Sequence, residues 1–166
     1  MFRKTILTLI AMLAALALPA MAAMTGYMKI EDIPGEAAGK GHEGWIEISS
    51  LTEGAETAAA SSVGSGRASN RVTIQPVVVT KAVDSTTPKI RSTLIAGTTI
   101  KEVTVEYGDL KLVMKDVRIT SASSYSDGTS HEEQLVLTPG QISWSAAAAN
   151  GSGRVESSFN TATGKP

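Results

Sequence analysis

The chain has 166 residues, with 15 Lys plus Arg against 16 Asp plus Glu, no Cys, and few aromatics (2 Trp, 3 Tyr, 2 Phe). Balanced charge without a long basic run gives no electrostatic footprint for nucleic acid or an anionic membrane surface. The missing thiols exclude disulfides, a thiol nucleophile and any Cys-ligated metal, while the length suits one domain with a self-supporting core.

Residues 1–22 read as a secretory signal: Arg3 and Lys4, an apolar run from Ile6 to Leu18, then Pro19 and the small-residue pattern Ala20-Met21-Ala22. Pro19 ends the run well short of the roughly 20 apolar residues that cross a bilayer. Cleavage after Ala22 removes two positive charges and leaves 13 basic against 16 acidic side chains, a net charge of −3. The expected product is secreted or periplasmic, without stable membrane insertion. A start at Met24 is the alternative.

Thr25–Ile30 has the β-rich look of a first strand, and Asp32-Ile33-Pro34-Gly35 ends it with turn residues. The segment from Glu36 to Gly44 holds Gly39, Gly41 and Gly44 and reads as a loop. In the strand predicted from Trp45 to Leu51, Ile46 and Ile48 occupy one parity and Trp45 and Leu51 the other, which suggests cover on both faces. Residues 54–70 are small and polar and read as a mobile surface loop.

Val72 to Val83 carries the strongest strand signal, interrupted at Pro76 by a bulge or an edge. Asp84 to Pro88 supplies cap candidates, Ile90, Leu94 and Ile95 follow at helical spacing, and Gly97 is the stop, so one short helix is predicted between residues 87 and 96. Alternation resumes with Val103, Val105 and Tyr107, turns at Gly108-Asp109, and continues through Leu110, Leu112 and Met114. A change of parity at Lys115-Asp116, ahead of Val117 and Ile119, predicts a bulge. Ser121–Ser130 reads as a polar loop, and a last pair of strands joins Leu135 and Leu137 to Ile142 and Trp144 across Pro139-Gly140. Residues 146–166 are rich in Ala, Gly, Ser and Thr, with Val155 and Phe159 almost alone as apolar mass, and read as a flexible tail. The fold class is mainly β, a small barrel or sandwich of antiparallel-type strands with one short flanking helix.

Chemistry is sparse. His42 beside Glu43, and His131 beside Glu132 and Glu133, are the imidazole–carboxylate neighbours that could serve as a base or hold a cation. The more ordinary readings are a loop histidine that packs at a contact and a solvated strand face. Adjacent carboxylates in a strand point to opposite faces and do not share a proton. Gly39-Lys40-Gly41 lacks the frame of a phosphate-binding loop. No catalytic, cofactor or metal residue is assigned.

Several ordered words resemble the Hcp family, the haemolysin-coregulated proteins of bacterial type VI secretion. They are Tyr27-Met28-Lys29-Ile30, Ile33-Pro34-Gly35-Glu36, and Lys40-Gly41-His42-Glu43-Gly44-Trp45-Ile46-Glu47-Ile48. Thr80-Lys81-Ala82-Val83-Asp84 leading to Pro88-Lys89-Ile90, Ile100-Lys101-Glu102-Val103-Thr104 and Gln141-Ile142-Ser143-Trp144 complete the order. The resemblance implies an Hcp-like β-barrel over residues 23–145, between the signal at 1–22 and the tail at 146–166. It further implies a structural, non-enzymatic subunit that forms hexameric rings. Such rings stack into a tube whose lumen carries small effector proteins. On that reading Lys40, Gly41, His42, Glu43, Gly44 and Trp45 form an extended arm towards a neighbouring subunit. The export signal sets this chain apart, because tube subunits assemble in the cytoplasm. A tube component translated from Met24 and a monomeric exported β-domain that binds a partner are the other readings.

Overall fold

The computed structural model describes residues 25–57, 72–149 and 151–165. The signal at 1–22 and most of the loop expected at 54–70 lie outside the described residues. The chain runs β1 (Gly26–Ile30), β2 (Ile46–Ile48), β3 (Ser50–Thr52), β4 (Ala55–Thr57), β5 (Val72–Ile74), β6 (Val77–Ala82) and α1 (Thr87–Ala96). It continues through β7 (Thr99–Tyr107), β8 (Leu110–Ser126), β9 (His131–Thr138), β10 (Gln141–Ala147) and β11 (Arg154–Asn160).

The main sheet is antiparallel and runs β2-β1-β7-β8-β9-β6-β3. Its two ends, β2 and β3, are separated by Ser49 alone, whose N–H donates to the Thr80 carbonyl at 2.8 Å. The sheet therefore curls until its ends meet in one stretch of chain, giving the barrel-like form. This also corrects the reading of Trp45–Leu51. The two apolar parities do not mark cover on both faces: Ile46 and Ile48 point inward while the chain pairs with β1, and Leu51 packs on the core after the chain has crossed to β6.

β8 holds the barrel together by changing partners along its length. Residues 110–115 pair with β10 and residues 118–126 with β9, both on the edge opposite β7. The change falls at Asp116, at a φ of 52°, where the Gly140 N–H reaches the Lys115 and Asp116 carbonyls. The parity change at Lys115-Asp116 is thus a corner, through which β7 and β8 keep one register. The register shift proper lies further on, between Ile119 and Ser121 against β9. Met28, Val79, Val103, Val105, Leu112, Met114, Leu135, Leu137 and Ile142 fill the interior.

Three segments expected to lack structure contain strands; one is the polar loop read at Ser121–Ser130, of which Ser121–Ser126 continues β8 and pairs with β9 from Val136 to His131. Pro76, which has no N–H to donate, divides the long β signal, and β5, its first part, pairs as a small ribbon with β4, which lies inside the region read as a loop. Residues 146–166, read as a flexible tail, carry β11, which lies along the whole of β10 and buries Phe159 opposite Ile142. Local composition was too polar to announce a strand whose order comes from a partner already in place.

α1 spans the predicted helix. Pro88 sits in its first turn, and Gly97 closes it at a φ of 64°, its N–H donating to the Leu94 carbonyl. Only Ile90 among its large side chains is fully buried, with Leu94 packed at the margin of the core.

Candidate functional site

The Gly-rich loop between β1 and β2 is tied to its own barrel. Gly35 N–H donates to the Gly44 carbonyl at 2.8 Å, Ala37 N–H to Trp45 O at 2.9 Å and Gly44 N–H to Ala37 O at 2.9 Å, so the loop closes as a narrow irregular hairpin. Gly41 and Gly44 take φ of 88° and 74°, values that side chains other than glycine's resist. A Cβ on Gly35 would fall on the Trp45 carbonyl, which explains glycine at that close approach.

His42 fixes the loop from above. Its ring stacks on Tyr27 of β1, with centroids 4.1 Å apart and planes inclined by 10°, and meets Trp45 edge-on at 4.9 Å. His42 Nε2 lies 2.8 Å from Glu106 Oε2 on β7, and Lys111 Nζ lies 2.9 Å from the other carboxylate oxygen. The His42 hydrogen bond, then that of Lys111, holds the Glu106 carboxyl below its ordinary value, against the opposing effect of burial. Glu43 does not pair with His42; its carboxylate accepts the Gly41 N–H at 3.0 Å. The base-like pair suggested by adjacency is therefore replaced by a pair 64 residues apart in sequence. Trp45 is half-buried and stands outside the hydrophobic core, and Lys40, Gly41, Glu43 and Gly44 are exposed. The loop does not project as a free arm: it lies on β1 and β7.

A second polar cluster attaches α1. Lys81 and Glu133 are both buried, and Lys81 Nζ donates to Ala82 O at 2.6 Å, Asp84 Oδ1 at 2.9 Å and Glu133 Oε1 at 3.0 Å. Thr87 Oγ1 donates to Glu133 Oε1 at 2.7 Å, and Asp84 Oδ1 accepts both the N–H and the hydroxyl of Thr86. Burial pushes the Asp84 carboxyl up, but hydrogen bonds from Lys81 and Thr86 outweigh it, so the value falls below the ordinary one. Glu133 is thus neither a cation ligand nor part of a solvated face; it is the buried partner of Lys81. No period-two pattern distinguishes an inward Lys–Glu pair 52 residues apart from two solvated charges. Glu53 was also missed: its carboxylate accepts the Trp144 Nε1–H at 2.9 Å and ties the end of β3 to β10.

Among the described residues no group of three or more His, Asp or Glu is placed to hold a metal ion, and no helix is long and apolar enough to cross a membrane. The cleft between α1 and the ends of β1 and β7, about 420 Å³, is lined by side chains of both charges, among them Asp32, Lys89 and Lys101. The His42 imidazole and the buried Glu133 carboxylate serve internal pairing.

A one-helix antiparallel barrel whose charged clusters fix its own loops and helix is a structural module that presents a shaped surface. The family model described as "Type VI secretion system effector, Hcp" matches residues 27–145, and the chain belongs to the Hcp family of type VI secretion tube and effector proteins. Hcp1 from Salmonella typhimurium superposes with a TM-score of 0.72 at 18% identity, over 86% of this chain and 98% of that one. A type VI secretion system effector from Yersinia pestis gives 0.67 at 17% identity, over 81% and 98%. Hcp3 from Pseudomonas aeruginosa, described as a secreted protein, gives 0.60 at 18% identity, over 83% and 98%. These likenesses establish the shared fold. No curated protein sequence matches the chain significantly.

Proposed function

We propose that the protein is a non-enzymatic, exported ring-forming member of the Hcp family. Signal residues 1–22 direct it to the periplasm or beyond the cell, and residues 23–145 form the assembling barrel domain. Six copies close into a ring that stacks into a tube, and small effector proteins occupy its lumen. Lys40–Trp45 belongs to the contact between neighbouring subunits.

The observation that carries this reading is the placement of Trp45. It is a large aromatic half-buried outside the core, on a loop whose shape the His42–Tyr27 stack and the Glu106 bond already fix. A pre-ordered aromatic loses little conformational entropy on docking, which favours it as an anchor in an interface. A patch that meets a different patch on the next copy closes into a ring when the rotation per subunit allows it.

The test is native mass by light scattering after size-exclusion chromatography over a range of concentrations. Hexamers or stacks of hexamers are expected, and a monomer at every concentration overturns the reading. Trp45→Ala is expected to shift the population towards smaller species while keeping the far-UV circular dichroism of the β-domain. Unchanged assembly in that variant would remove the loop from the interface.

A further inference from the structure

Among the described residues β11 is the longest strand with a whole edge unpaired: it pairs with β10 over all seven of its residues and with no other strand. The bonds from Ala148 N–H to Gly153 O and from Thr161 N–H to Gly140 O set the alternation at either end of the ladder. By that alternation Val155, Ser157 and Phe159 bond β10, while Arg154, Glu156 and Ser158 turn their main-chain N–H and C=O groups outward. Asn160 shares the outward parity, but its N–H donates to the Lys165 carbonyl at 2.8 Å, so the final turn closes that end. The edge carries no Pro and no bulge, the usual devices that block strand addition. Val155, on the opposite face from Arg154 and Glu156, is 67% exposed.

We propose that this edge binds a second copy of the chain, β11 antiparallel to β11 about a two-fold axis through Val155. Outward-facing residues must meet outward-facing residues, which leaves few registers. One sets Arg154 against Arg154, and another sets Glu156 against Glu156; like charges directly opposed disfavour both. A register centred on Ser157 needs the Asn160 edge, which Lys165 occupies. The register centred on Val155 sets Arg154 of each copy opposite Glu156 of the other, with the two Val155 side chains side by side on the opposite face. Glu156 makes no ion pair within the described residues of its own chain. Within its own chain the Arg154 guanidinium lies back across β10, where Nε donates to Ser145 Oγ at 3.1 Å and Nη2 to Ser145 O at 2.8 Å and Asp109 O at 3.0 Å, so on pairing it exchanges these neutral acceptors for the Glu156 carboxylate of the second copy. This two-fold contact is self-complementary, unlike the head-to-tail contact of a ring, and it stands whether or not rings form. β11 also lies beyond residues 27–145 matched by the family model.

The chain has no Cys, so Val155→Cys introduces a single thiol. Across an antiparallel non-hydrogen-bonded pair the Cα atoms stand about 4.5 Å apart, within reach of a disulfide. Under mild oxidation the purified Val155→Cys protein should form a covalent dimer at least about tenfold faster than a Thr129→Cys control, whose thiol sits on an exposed loop. Adding Glu156→Arg to Val155→Cys should slow the reaction about tenfold, because it opposes Arg154 of the second copy with a like charge. Cross-linking no faster than the control, or a rate indifferent to Glu156→Arg, overturns the proposal. Circular dichroism of each variant separates loss of the contact from loss of the fold.

Discussion

Replacing His42 by Ala removes three interactions at once: the bond to Glu106, the stack on Tyr27 and the edge contact with Trp45. A hydrogen bond to an ionised group contributes about 1.5 kcal/mol or more when buried. With side chains 24% and 31% exposed, solvent screening reduces that to about 1 kcal/mol. An aromatic stack adds about 1 kcal/mol. Loop opening should therefore become easier by about 2 kcal/mol, a factor of roughly 30 in its equilibrium constant. Amide hydrogen exchange reads this directly, because the N–H groups of Ala37, His42, Gly44 and Trp45 are bonded only within the loop. Their exchange in His42→Ala should accelerate by that factor, while the amides of β7 and β8 keep their protection. Unchanged rates at these four amides would refute the anchoring role. Equal acceleration throughout the barrel would show that His42 supports the whole fold.

Lys81→Met strands Glu133 in the interior with one hydroxyl partner and should cost about 3 to 5 kcal/mol in urea unfolding. Lys81→Met combined with Glu133→Leu should recover most of it, and a single variant within about 1 kcal/mol of the parent would contradict the assignment. The pH dependence follows from Glu106 and Asp84, whose folded values lie below the ordinary 4.5 and 3.8. Both carboxylates therefore contribute stability that is fully present above those ordinary values and lost as pH falls through the depressed ones. The urea midpoint should hold from about pH 7 to pH 5 and decline below about pH 4. A midpoint independent of pH across that range would remove both pairs from the account.

Alternation and punctuation sufficed for much of the architecture. Gly108-Asp109 marked the β7–β8 hairpin, Pro88 and Gly97 bounded α1, and the period-two runs around Val103 and Leu135 named strands that line the core. These signals are local: a turn needs a particular φ, and an inward face needs every second residue apolar. The ordered words from Tyr27 to Trp144 also carried the family, because they are identities of residue type and need no coordinates.

Partnership was not legible. His42 was visible beside Glu43, yet the pairing of β1 with β7 sets Glu106 opposite Tyr27, on which His42 stacks, and Glu133 looked solvated until β6 and β9 paired and placed Lys81 against it. β11 has too little apolar mass to predict itself as a strand, and it is ordered because β10 offers it a full edge. The amino-acid sequence by itself determined a mainly β domain of the Hcp family with a short flanking helix, since periodicity, turn chemistry and residue identity act over a few residues. Only the tertiary structure decided which charges meet, where the Gly-rich loop is fastened and which strand edge remains open, because contacts between residues distant in sequence depend on register and curvature that no local pattern encodes.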